Sequence, residues 1–139
     1  MSQTEIIRHI LATCRTVAVV GLSPKPHRAS FDVSRYMQAQ GWRIIPVNPV
    51  AAASGATILG EKVYATLLDA AQHEKIELVN VFRHSEDVPP VAAEAIAIGA
   101  QALWLQQGIE NEQAATAAQA AGLWVVQNKC LMVEYANHV

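Results

Sequence analysis

The chain has 139 residues, 52% of them hydrophobic, and carries a formal net charge of −2 with no block of like charges. That length and apolar content suit one domain with one sizeable core, residues 1–139. The charge balance argues against a broad electrostatic surface for nucleic acid or anionic membrane. Aromatic residues make up only 6% and none interleaves with a basic patch, so a base-stacking platform is not expected either.

The N-terminus shows no basic segment leading into an apolar run, so no signal peptide is expected, and no apolar run is long enough to span a membrane. Cys14 and Cys130 lie far apart, in neither a disulfide framework nor a metal-ligand spacing, which fits a reducing, cytoplasmic setting. In chain order, Ile6, Ile7, Ile10 and Leu11 recur at helical spacing between Thr4 and Thr13, with Ser2 or Thr4 as cap and Glu5 near the positive end. Cys14 ends this helix as a buried small hydrophobe. Thr16 to Val20 reads as a buried strand that runs into Gly21 and a basic loop. Ser30 to Gln40 follows as a helix with Phe31, Val33, Tyr36 and Met37 on its apolar face and Gly41 as its stop.

Trp42 to Val47 predicts a second strand, broken by Asn48-Pro49. Val50 to Gly60, rich in Ala, Ser and Gly, reads as a flexible surface loop able to close over a ligand, and Glu61 to Tyr64 as a short extended segment. Thr66 caps a short helix with Leu67, Leu68 and Ala71 inward. Ile76 to Phe82 is a third long strand with Arg83-His84-Ser85 as its exit. A helix over Asp87 to Ile98 carries Pro89 and Pro90 in its first turn and stops at Gly99. Ala102 to Leu105, a helix over Glu110 to Ala121, Leu123 to Val126 and a final helical turn from Leu131 to Ala136 complete the alternation, with Trp104 and Trp124 expected in the core.

Strands alternating with Gly-ended helices predict an α/β fold: a doubly wound, mostly parallel sheet with helices on both faces, Rossmann-like, in a single domain. Ligands of such sheets bind outside the carboxyl ends of the strands. The candidate loops are therefore Gly21 to Arg28, Asn48-Pro49, Phe82-Arg83, Gln106 to Gly108 and Asn128 to Cys130. The first is the most informative, because Lys25, His27 and Arg28 stand just before a helix start, where free N–H groups and the dipole attract anions.

The dinucleotide fingerprint is missing. Ser23 and Pro26 occupy the places of its second and third glycines, and Val47-Asn48 supplies no carboxylate for a ribose diol, which disfavours NAD. No Walker loop occurs. What remains suits a ligand with several phosphates and no acidic ribose clamp.

In Val20-Gly21-Leu22-Ser23, Val47-Asn48-Pro49, Val81-Phe82-Arg83, Leu103-Trp104-Leu105-Gln106-Gln107-Gly108 and Asn128-Lys129-Cys130-Leu131 the chain resembles the stand-alone bacterial CoA-binding domains. These are similar to the N-terminal CoA-binding domain of the succinyl-CoA synthetase alpha subunit. The resemblance covers the chain from about Thr16 onward. It implies that Gly21, Leu22, Ser23, Pro24, Lys25 and Pro26 wrap the nucleotide phosphates. It also implies that Asn48 and Pro49 border the adenosine, that Phe82 and Arg83 line the second wall, and that Gln106, Gln107 and Gly108 meet the pantetheine arm. The synthetase has a basic residue after its second strand where this chain has Val50-Ala51-Ala52-Ala53, so Lys25 and Arg28 would carry the phosphate charge here, and Ser30, which opens the helix, is a further candidate binding residue. Its phosphorylated histidine and second domain have no counterpart in this chain, and its ligase chemistry is not carried over.

The expected function is binding of CoA or an acyl-CoA in a sensing or carrier role, with no catalytic residue and no metal site assigned. His9, His73 and His138 are scattered without ligand spacing, and His84 has no nucleophile pattern beside it. Two enzymatic alternatives stand beside this reading: an acyl-CoA thioesterase or transferase using Cys130, and an NAD(P)-binding oxidoreductase. Cys130 also reads as a buried structural residue, Arg83 as a solvated or helix-capping one, and Gln106 and Gln107 as caps of the next helix. An interaction module without nucleotide binding is a further alternative. A homodimer or an unknown protein partner is compatible with the sequence, which selects neither.

Overall fold

A computed structural model describes residues 1–139. Helix α1 (Gln3–Thr13) opens with a reciprocal cap, in which the Ser2 hydroxyl accepts the Glu5 N–H and the Glu5 carboxylate accepts the Ser2 N–H. Strand β1 (Thr16–Val20) leads through the basic loop into α2 (Ala29–Ala39), and β2 (Arg43–Val47) into α3 (Pro49–Ser54). A small antiparallel hairpin, β3 (Thr57–Ile58) with β4 (Glu61–Lys62), is followed by α4 (Leu67–Ala71) and β5 (Leu78–Val81). A 3-10 turn (Ser85–Asp87), α5 (Val88–Ala97), β6 (Ala102–Leu105), α6 (Glu112–Ala120), β7 (Trp124–Val126) and α7 (Leu131–His138) complete the chain.

The five long strands form one parallel sheet in the order β2-β1-β5-β6-β7. The chain runs outward from β1 to β2, then crosses back over β1 to start again at β5. The order therefore reverses between β1 and β5, and that is the switch point of the doubly wound fold. Alternate residues of the central strands point to opposite faces, and both faces are covered. Ala18, Val20, Val79, Val81, Leu103 and Leu105 belong to the core beneath α4, α5 and α6. Val17, Val19, Leu78, Ala102 and Trp104 belong to the core beneath α1, α2 and α7. Near-continuous apolar strands are what burial on both faces requires.

Several expectations need correction. Residues 50–60 are not a flexible closing loop. Pro49 stands in the first turn of α3, where its missing N–H costs nothing, and Asn48 caps that helix by accepting the N–H groups of Val50 and Ala51. The Ala run then propagates the helix until Gly55 ends it in the left-handed region at φ 73°. Leu68 is 47% exposed, because α4 begins at Leu67 and presents Leu67 and Ala70 to the core instead. Helix α6 begins at Glu112, since Asn111 accepts the Ala114 N–H as its cap. Helix α7 is a full helix of 8 residues rather than a single turn. Glycine does not end every helix: Cys14 ends α1 and Gln72 ends α4. Trp104 is fully buried, but Trp124 is only half-buried, packed against the His9 ring at 4.5 Å between centroids.

Candidate functional site

Val20 and Val81 are register partners across the switch point, and the chains that leave them nearly touch. Gly21 sits at φ +90° and donates its N–H to the Val47 carbonyl at 2.9 Å. A Cβ on Gly21 would stand 2.2 Å from the Phe82 carbonyl oxygen. Only glycine satisfies both the positive φ and that approach.

The loop beyond Gly21 is held by its own small side chains. The Ser30 hydroxyl, buried at the start of α2, accepts the Ser23 N–H at 3.0 Å, and the Ser23 hydroxyl accepts the Lys25 N–H at 3.1 Å. Leu22 is fully buried, so it anchors the loop and presents no side chain to solvent, while its carbonyl accepts the Asn48 amide at 2.9 Å. Arg28 precedes α2 without a side-chain cap, and the N–H groups of Ala29 and Ser30 find no acceptor within the protein. Phe31 and Asp32 already donate to the Arg28 carbonyl. The first turn of an 11-residue helix is thus left with two free donors.

Gly21, Ser23, Lys25, Arg28, Ala29, Ser30 and Phe82 line one open cleft of about 310 Å³ over this turn. It contains two cations and no carboxylate. Asp32, the acid in the same first turn, is held by Arg35 at 2.8 Å. A helix N-terminus with free N–H groups and two cations suits an anion by both geometry and charge. A second cleft of about 390 Å³ adjoins it, sharing Phe82 and lined further by Arg83, His84, Asp87, Gly108 and Ile109.

Six of the predicted residues therefore meet in the first cleft: Gly21, Ser23, Lys25, Arg28, Ser30 and Phe82. Arg83 and Gly108 join Phe82 in the second. Leu22, Pro24, Asn48, Pro49, Gln106 and Gln107 line neither cleft. Asn48 spends both ends of its amide inside the protein, tying the β1 exit to α3. Gln106 is buried, and its carbonyl oxygen accepts the Leu131 N–H at 3.0 Å, so it holds the start of α7. Gln107 is exposed.

Residues that the sequence reading left out of the site are Ala29, His84, Asp87 and Ile109. Ala29 contributes a backbone N–H at the first helical position, which composition cannot signal. His84, in the exit of β5, is exposed and edges the second cleft.

Neither cleft contains a nucleophile bonded to a base. Cys130 is half-buried at the cap of α7, makes no side-chain hydrogen bond there and lines neither cleft. Cys14 is buried beneath α1, and burial, opposed by a contact with the Thr13 hydroxyl, pushes its thiol up from the ordinary value. It remains a protonated packing residue at neutral pH. No group of three or more His, Cys, Asp and Glu side chains is arranged to hold a metal ion, and no helix is long and apolar enough to cross a membrane.

A parallel sheet doubly wound about a β1/β5 switch point, with a cationic helix start above it, defines the Rossmann-like class of ligand-binding fold. Within that class the chain belongs to the CoA binding domain family, whose model matches residues 15–136. It is 40% identical over 130 residues to the uncharacterized protein YneT of Bacillus subtilis (strain 168), spanning 94% of this chain and 92% of that one. Among solved structures it is similar to a hypothetical protein from Pyrococcus horikoshii OT3, with TM-score 0.89, 35% identity and coverage of 99% of this chain and 92% of the other. It is also similar to cell-free ID.343 from Thermus thermophilus, with TM-score 0.90, 34% identity and complete coverage of both chains. CoA binding is thus supported at the level of the family.

Proposed function

We propose that residues 1–139 form a single cytoplasmic CoA-binding domain that holds CoA or an acyl-CoA across the carboxyl ends of the strands, in a sensing or carrier role. The observation that carries the reading is the first cleft. Two unpaired N–H groups at the start of α2, two cations and no carboxylate meet over the switch point. A diphosphate fits that donor set, since each phosphate oxygen can take an N–H or a cation without displacing an internal partner. In this reading Gly21, Ser23, Lys25, Arg28 and Ser30 surround the diphosphate. Phe82 separates it from the second cleft, which Arg83 and Gly108 line. Leu22, Asn48 and Gln106 shape the loops from inside, while Pro24, Pro49 and Gln107 lie outside both clefts. Binding is the function assigned, because the first cleft offers donors for an anionic ligand.

Calorimetric titration of CoA into wild type and Arg28→Ala tests the phosphate role. Loss of Arg28 should weaken binding by about 1.5 kcal/mol, the lower end for a charge-assisted contact, because the side chain is exposed. Unchanged affinity would remove Arg28 from the site.

A further inference from the structure

Arg15, Arg35 and Arg43 all have partners: the Leu11 and Cys14 carbonyls for Arg15, Asp32 for Arg35, and Glu74 and Glu61 for Arg43. Arg8, Arg28 and Arg83 have none; Arg8 lies away from the carboxyl ends of the strands, beside Leu11 and His138, whereas the clefts that Arg28 and Arg83 line meet at Phe82. The Arg28 guanidinium is already accounted for by the first cleft. Arg83 is not: it is half-buried, it makes no ion pair or hydrogen bond, and it faces a separate cavity of about 390 Å³. Asp87 lines that cavity too, but it is exposed and does not come within ion-pair distance of Arg83. A guanidinium that is partly withdrawn from water and left without a carboxylate is a fork suited to a phosphate or carboxylate group.

We propose that Arg83 marks a second anion subsite, so that the protein takes its ligand by two separate anionic groups, one on each side of Phe82. This inference rests on the CoA reading of the first cleft. With the diphosphate in that cleft, the second group is either the 3′-phosphate of CoA or the carboxylate of a dicarboxylic acyl thioester. Both present paired oxygens to a guanidinium, and the ligand set below separates them.

The test is calorimetric affinity of wild type and Arg83→Gln for CoA, dephospho-CoA, acetyl-CoA and succinyl-CoA at one ionic strength. The wild type is expected to prefer CoA over dephospho-CoA, or succinyl-CoA over acetyl-CoA, by about tenfold. Arg83→Gln is expected to bring that one ratio close to one, while the ligand lacking the group keeps its affinity within about twofold. Arg83→Lys should retain part of the preference, because the charge stays and the fork is lost. If both ratios are the same in wild type and Arg83→Gln, or if the substitution weakens all four ligands equally, the second subsite is overturned. If wild type binds none of the four, the CoA reading itself falls. That outcome is distinct from normal CoA binding without an Arg83-dependent ratio, which overturns the inference alone.

Discussion

Gly21 carries two constraints at once, and they act on different parts of the molecule. Its φ of +90° is costly for any residue with a Cβ, and the Phe82 carbonyl lies where that Cβ would be. Gly41 has a similar φ of +94° but open space around it. Gly21→Ala should therefore cost about 2 kcal/mol or more in urea unfolding, and Gly41→Ala about 1 kcal/mol from backbone strain alone. Gly21→Ala should also weaken CoA binding, because relief of the clash moves Phe82, which both clefts share. Equal costs at the two glycines would mean that the close approach across the switch point does not matter. At this scale the grouping of Lys25, Arg28 and Ser30 in one cleft was legible, because they are close neighbours in the chain. The sequence was uninformative where the backbone acts, as with the Ala29 N–H. It was misleading where a polar side chain turns inward, as with Gln106, which serves Leu131 rather than a cleft.

Asn48 shows how one residue joins two elements. Its carbonyl oxygen caps α3, and its amide nitrogen donates to the Leu22 carbonyl in the β1 exit loop. Asn48→Ala should lower stability by about 1–2 kcal/mol, and Asn48→Asp, which keeps the cap acceptor and loses the donor, by about half as much. Urea unfolding of the two variants checks this. Identical losses would mean that the link to Leu22, and not the cap, carries the stabilisation. The same residue explains why the 50–60 segment was misread. Its small residues look loop-like in isolation, but a capped start, proline in the first turn and three alanines suffice for a short helix once Ala51 is buried against the core. The long strands were legible because burial on both faces demands continuous apolar runs, as in Val17 to Val20 and Leu103 to Leu105. Helix ends were legible only to within a turn, because caps such as Asn111 depend on which N–H groups the fold leaves unpaired.

For the molecule as a whole, the β2-β1-β5-β6-β7 order brings loops from distant parts of the sequence to one end of the sheet. It places the basic loop after β1 next to the Phe82-Arg83 exit of β5, about sixty residues later in the sequence. The alternation of strands and helices was enough to foresee that these exit loops gather at one end of the sheet. The division into two clefts at Phe82 was not, because it depends on how closely Gly21 and Phe82 approach. The central claim is that this end of the fold binds CoA. Thermal unfolding with CoA, acetyl-CoA, dephospho-CoA, NAD, NADP and ATP in parallel tests it most directly. A ligand that binds only the folded state adds about 2.7 kcal/mol of stability at a hundred times its Kd, equivalent to several degrees in Tm for a chain of this size. The account predicts a rise with CoA and acetyl-CoA and none with NAD, NADP or ATP. A rise with the nicotinamide nucleotides alone, or with none of the six, would contradict it.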